Sequence, residues 1–171
     1  MSIYRIRNII IAAVLILAAY ILQWSVFNNI PGWGYSPNLL LLITFAYGYV
    51  SGKISGMVAG LFGGLMIDVF FCDVIGYHAL ILVLLGYISG IWTTYFYSDD
   101  LYVPMIILMG SELFYSLAEF VVWHVLKSRF DIGFYLIHTT LPEFLLTFIA
   151  GVLLFKPLSL LIKKLNTVPE E

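Results

Sequence analysis

Most of this 171-residue chain divides into apolar segments of about the length that a helix needs to cross a bilayer. The first such segment, from Ile9 to Leu22, contains no charged or strongly polar side chain. Over the whole chain, 62% of residues are hydrophobic and 11% are charged, whereas a soluble domain is about 45–50% apolar and about 25% charged. A soluble fold of this size cannot bury so much apolar surface. We therefore predict an all-α integral membrane protein.

Six transmembrane helices are predicted within one polytopic membrane domain that covers residues 1–171. The second span is short, so a re-entrant hairpin made of the second and third spans is the alternative. A single helix over 38–70 would be about 50 Å long, well beyond the ~30 Å hydrocarbon core, so a break at the sequence "SGK" is expected. The predicted spans cover residues 8–28, 37–50, 54–71, 76–97, 101–126 and 133–156.

The tail over 157–166 is amphipathic, with Leu158 and Ile162 on its apolar face and Lys163 on its polar face. It is predicted to lie on the membrane surface, or else to be a frayed helix end with lysines that snorkel to the interface.

Basic residues give the expected orientation, because cytoplasmic loops carry an excess of Lys and Arg. With both termini cytoplasmic, Lys127 and Arg129 lie outside, and six basic residues lie inside. No small-residue cleavage site follows the first apolar run, so we interpret it as an uncleaved span. A net charge of −2 argues against a nucleic-acid partner, and Cys72 is the single cysteine, so no internal disulfide can form. The six inside residues are Arg5, Arg7, Lys53, Lys156, Lys163 and Lys164.

Glycines recur at a strict interval of four along the second and third predicted spans, and a similar pair occurs in the fourth. Within a bilayer, small residues allow helix backbones to approach closely, which favours helix association. Such a face predicts either close packing between spans of this chain or a groove for the helix of another protein. These glycines are Gly48, Gly52, Gly56, Gly60 and Gly64, with Gly86 and Gly90.

Four carboxylates fall inside predicted spans, where an ionised acid costs roughly 2.5–3.5 kcal/mol on insertion scales. No Lys or Arg lies at comparable depth, so protonation or hydrogen bonding is the expected remedy. Two polar stripes, on the fifth and sixth spans, are predicted to face each other. They form either a structural clasp, a proton or substrate path, or a polar site for a partner. The four acids are Asp68, Glu112, Glu119 and Glu143, and the predicted cluster comprises Glu112, Ser116, Glu119, Thr139 and Glu143.

Motifs for catalysis are absent: the chain has no His-Glu-x-x-His, no nucleophile elbow and no phosphate loop. Cys72, Asp73 and His78 are close in sequence but form a poor metal signal. We therefore expect neither catalytic residues, nor a metal, nor a cofactor.

A family resemblance lies in residues 36–90, "SPNLLLLITFAYGYVSGKISGMVAGLFGGLMIDVFFCDVIGYHALILVLLGYISG". A Pro followed by a leucine run precedes a glycine-rich hairpin that ends in "GGLMID", and Gly76 and "HAL" open the next span. In these features the chain resembles the rod shape-determining protein MreD family. Asn38 stands where an acid is common in that family. With the family positions included, the candidate surface for a partner or for helix packing comprises Pro37, Asn38, Gly56, Gly60, Gly64, Asp68, Gly76, Gly86 and Gly90.

The resemblance implies a non-enzymatic scaffold of the bacterial cell-elongation machinery in the cytoplasmic membrane. Such a protein binds MreC, a single-span protein, and indirectly supports the glycosyltransferase RodA and a class B penicillin-binding protein, which build side-wall peptidoglycan. It also implies a fold like that of the substrate-binding component of vitamin (ECF-type) transporters. The alternative function is that transporter component itself, which often carries Ala-x-x-x-Ala on its first span. Here Ala12, Ala13, Ala18 and Ala19 are not spaced by four.

Overall fold

A computed structural model of the protein describes residues 2–27, 35–71, 75–93, 101–121 and 136–166. Within these ranges the chain forms six α-helices and no strand. A π-helical turn, Leu22–Phe27, continues the first helix, and a second one, Leu136–Thr140, precedes the last. The helices are α1 (Ser2–Ile21), α2 (Leu39–Ser51), α3 (Lys53–Phe71), α4 (Tyr77–Trp92), α5 (Tyr102–Phe120) and α6 (Leu141–Asn166).

Four of the described helical segments are long and apolar enough to cross a membrane, and α2 and α4 are apolar but shorter. The prediction of an all-helical, six-helix protein is therefore confirmed for the described part of the chain. α2 has 13 residues, and nearly all of its side chains are buried by the surrounding helices. A helix that is hydrophobic all round is one that lies inside the protein. The four long segments are Arg7–Ser25, Lys53–Phe70, Tyr102–Phe120 and His138–Asn166.

The hairpin between α2 and α3 turns at Gly52, within the "SGK" stretch where a break was expected. Gly52 has a φ of 90°, and its backbone N–H donates to the Gly48 carbonyl at 2.9 Å. This left-handed conformation suits glycine, since a side chain there would be strained. At the other end of α2, the Asn38 side-chain oxygen accepts a hydrogen bond from the Leu41 N–H at 3.2 Å and caps the helix.

The glycines of α3 lie directly against the backbone of α4. A Cβ added at Gly60 would come within 3.0 Å of the Leu82 and Val83 backbone. Equivalent contacts join Gly56 to Gly86 and Gly64 to Ala79, while Gly90 meets Lys53. Gly48 of α2 also faces α4, at Gly86 and Ser89. The structure thus places these glycines in contacts within the chain, not on a groove open to a partner.

The C-terminal segment is helical, because α6 continues unbroken through Pro157 to Asn166. Ile162 is fully buried. The Asn166 side-chain amide donates to Ser51 Oγ at 2.7 Å, and the Asn8 amide donates to the Leu165 carbonyl at 2.6 Å. Of the apolar face of this segment, Ile162 packs on the bundle, whereas Leu161 is 38% exposed.

We expect Gly60→Ala to destabilise the protein and Gly110→Ala to leave it unharmed. Overpacking typically costs about 1–3 kcal/mol, and an alanine at residue 60 would overlap α4. A Cβ at Gly110 meets no atom within 4 Å, and alanine favours a helix over glycine by about 1 kcal/mol. Thermal unfolding in mild detergent measures both. Equal shifts in melting temperature would contradict the close contact between α3 and α4.

Candidate functional site

Asp68, in the last turn of α3, holds the start of α4. Its carboxylate is fully buried. Oδ2 accepts hydrogen bonds from the backbone N–H groups of Gly76 at 3.0 Å and Ala79 at 3.1 Å, and Oδ1 accepts from the His78 N–H at 3.0 Å. The first N–H groups of a helix have no partner within it, and the N-terminus carries a partial positive charge. One carboxylate therefore satisfies three backbone donors and complements the helix dipole.

His78 extends this site from α4 to α5. Its Nδ1 lies 2.8 Å from Asp68 Oδ1, and its Nε2 lies 3.3 Å from Glu119 Oε1. The ring is buried, and the Tyr115 ring packs on it with a centroid distance of 6.1 Å. A neutral imidazole donates from one nitrogen only, whereas an imidazolium donates from both. Both contacts of the ring are therefore hydrogen bonds only when His78 is an imidazolium, or when one of the two carboxyl groups carries a proton and donates it to the ring.

A second polar group, built on Glu112, joins α2, α5 and α6. Glu112 is 1% exposed, and Thr147 Oγ1 donates a hydrogen bond to its Oε1 at 3.3 Å. The Asn38 backbone N–H in turn donates to Thr147 Oγ1 at 2.9 Å, and the Asn38 side chain lies beside the same carboxyl group. Glu112 Oε2 has no hydrogen-bond partner among the described residues. The chain Asn38–Thr147–Glu112 thus fixes how α5 and α6 are rotated about the start of α2.

The polar group around Asp68 and His78 lies next to the polar group around Glu112, and acidic side chains lie between them. Glu119 and Glu143 both lie within electrostatic range of Glu112, and the Tyr115 hydroxyl lies next to Glu119. His78 is a basic side chain that contacts this set. Among the described residues, no group of three His, Cys, Asp or Glu side chains could hold a metal ion; Cys72 and Asp73 lie outside the described residues.

The predicted cluster is present in part. Glu112 and Ser116 are buried and Glu119 is half-buried, whereas Thr139 and Glu143 are half-buried and make no side-chain hydrogen bond among the described residues. The predicted contact between the stripes of the fifth and sixth spans occurs through Glu112 and Thr147. Asp68, predicted as a buried acid and as part of a packing or partner surface, joins α3 to α4 in this network.

The position of His78 between Asp68 and Glu119 was not predicted from the sequence. The sequence does contain a signal for it, since Asp68 and His78 lie at adjoining ends of two consecutive antiparallel spans and both fall on the same side of the membrane. A carboxylate and an imidazole at that spacing, with Gly76 between them, are placed to meet across the turn.

Comparison with known families decides the identity of the chain. The model of a family described as "rod shape-determining protein MreD" matches residues 4–165. The chain belongs to the MreD family. The resemblance drawn from residues 36–90 is thereby confirmed, and the match extends over nearly the whole sequence. No curated protein and no solved structure matches the chain. As an MreD-family protein with several apolar helices long enough to span, it is a multi-pass membrane protein that determines rod shape.

We expect Asp68→Asn to destabilise this MreD-family protein much more than Glu143→Gln. Both changes replace a carboxyl group by an amide of the same shape. At Asp68 the new NH₂ group would face N–H donors, and each buried donor left unsatisfied costs about 1–3 kcal/mol. Glu143 accepts no hydrogen bond among the described residues, so replacing its carboxyl group by the glutamine amide breaks no hydrogen bond there. Melting temperatures in mild detergent test the difference, and a larger drop for Glu143→Gln would refute the assigned capping role.

Proposed function

We propose that this rod-shape-determining membrane protein acts as a non-enzymatic scaffold of the bacterial cell-elongation machinery. In this proposal it lies in the cytoplasmic membrane with both termini cytoplasmic, binds an MreC-like single-span protein and supports side-wall peptidoglycan synthesis by RodA and its penicillin-binding partner. The observation that carries the proposal is the family match over residues 4–165.

The hydrogen bonds of the buried polar side chains favour the interpretation of this protein as a scaffold. Asp68, His78 and Asn38 all bond to groups of this same chain, at helix ends or between helices. Such bonds set helix positions, which a scaffold needs. The large exposed side chains of the helices are mainly apolar and suit lipid or the helices of membrane partners. A fold like that of the substrate-binding component of vitamin transporters belongs to the same proposal, as what the resemblance to the MreD family implies.

Purification with an affinity tag in mild detergent tests the partner. We expect an MreC-like single-span protein to be retained in stoichiometric amount, and an equally tagged, unrelated multi-pass protein not to retain it. A preparation that carries a bound vitamin-like small molecule and no such partner would replace the scaffold by a transporter component.

Substitutions at Glu112 separate a structural carboxyl group from one that moves protons. Glu112→Gln keeps an oxygen that can accept from Thr147, so we expect it to restore rod shape in a depleted strain. Glu112→Leu strands the Thr147 hydroxyl, at about 1–3 kcal/mol for a buried group without a partner, and should lose function together with protein level. If the glutamine protein is present at normal level but fails to restore shape, the carboxyl group takes part in the mechanism and the purely structural role is wrong.

The orientation has its own test in a Cys72→Ser background. Ile75 is 72% exposed at one end of the bundle, and Lys164 is exposed at the end that carries both termini. We expect Ile75→Cys to react with an impermeant thiol reagent in intact spheroplasts, and Lys164→Cys to react only after lysis. The opposite pattern would invert the proposed topology.

A further inference from the structure

A groove between α5 and α6 is a feature of the described surface that the network above leaves unused. It has a volume of about 810 Å³. Its wall on α5 includes Tyr102, Ile106 and Gly110, and its wall on α6 includes Phe148 and Lys156. Met105 and Val152 complete its lining between the two walls.

The groove is about as long as one leaflet of the hydrocarbon core is thick. Along α5 it extends from Leu101 to Leu113, which at 1.5 Å per residue is about 18 Å. The hydrocarbon core is about 30 Å thick, so one leaflet accounts for about 15 Å. Beyond this point the groove ends, at the level where Thr147 and Glu112 join the two helices. A groove of this length matches a lipid chain of one leaflet, whereas a spanning helix of a partner needs a surface across the whole core.

The groove is apolar along its length, and its charge lies at one end. Lys156 is exposed at that end, which is the end where α5 begins and α6 approaches its C-terminus. The Lys156 side chain forms no hydrogen bond or ion pair among the described residues. Tyr102, 82% exposed, stands beside the same opening. Tyr102 begins α5, and an aromatic ring at the end of a span is typical of the headgroup level of a membrane, where a nearby lysine meets lipid phosphates.

We propose that this groove binds a single anionic phospholipid, with one acyl chain between α5 and α6 and the phosphate at Lys156. Basic sites between transmembrane helices recognise anionic headgroups, and the apolar wall below Lys156 accepts the chain. Gly110 contributes by leaving the wall open, since no atom lies within 4 Å of a Cβ built there. This lipid site does not depend on the proposed partner of the protein.

Native mass spectrometry of the delipidated protein tests the site. The protein in mild detergent is titrated with phosphatidylglycerol and, separately, with phosphatidylcholine of the same chains. We expect one phosphatidylglycerol to bind about fivefold more tightly than phosphatidylcholine. This ratio is what the attraction between one lysine and one anionic headgroup contributes. Lys156→Gln should abolish the preference, while Lys164→Gln, an exposed lysine on the same helix outside the groove, should retain it. Equal loss in both lysine variants would show general surface attraction and overturn the proposal.

Gly110→Leu tests the proposed site for the acyl chain. We expect no loss of folding stability, because the position is open and leucine favours a helix over glycine. We expect it to reduce the binding of both lipids at least fivefold, while Leu80→Phe, at an exposed position on α4, has no effect. Melting temperatures without lipid verify that all variants are folded. If Gly110→Leu and Lys156→Gln leave lipid binding unchanged but lower retention of the MreC-like partner, the groove binds a protein helix and the lipid proposal is wrong.

Discussion

The contact between α3 and α4 is the constraint on which the rest of the structure depends. Apolar side chains gain little from meeting each other in a bilayer, so these helices are held by backbone approach and by hydrogen bonds. Gly56, Gly60 and Gly64 permit the approach over most of the length of α3. Asp68 then lies at the start of α4, where it accepts from three backbone N–H groups. The packing and the cap support each other, because a wider separation of the helices would take the carboxylate out of reach of its donors.

Much of the fold could be predicted from the sequence, because its strongest signals are local. Apolar length predicts the helices, and the excessive length of a single 38–70 helix predicts the turn found at Gly52. What the apolar face of the last segment contacts is not a local property. An amphipathic face can lie on lipid or on protein with the same pattern, and here Ile162 is buried by the bundle. The sequence alone therefore left two alternatives open for residues 157–166, and their place on the membrane surface stays a prediction.

The polar network was predictable as a set of residues but not as a set of partners. A carboxyl group at membrane depth is conspicuous by its cost, so Asp68, Glu112 and Glu119 could be singled out. Their bonds depend on the rotation of each helix about its axis, which a four-residue spacing does not define. Consequently the hydrogen bond between Asp68 and His78 was not predicted, although both residues lie at the same turn. The facing of α5 and α6 was predicted because two stripes restrict rotation more than one residue does.

The enclosure of α2 has a consequence for how the protein is made. With 13 residues, α2 is about 20 Å long, shorter than the ~30 Å core, and as a lone segment it would thin the bilayer around it. The chain emerges from the ribosome in order, so α2 exists before α4 and α6, which later cover it. Entry of α2 and α3 together, as one hairpin turned at Gly52, would give the short helix a partner during this interval. In the completed fold, the leucine-rich surface of α2 is covered by protein, so this apolar helix is left with almost no surface for lipid.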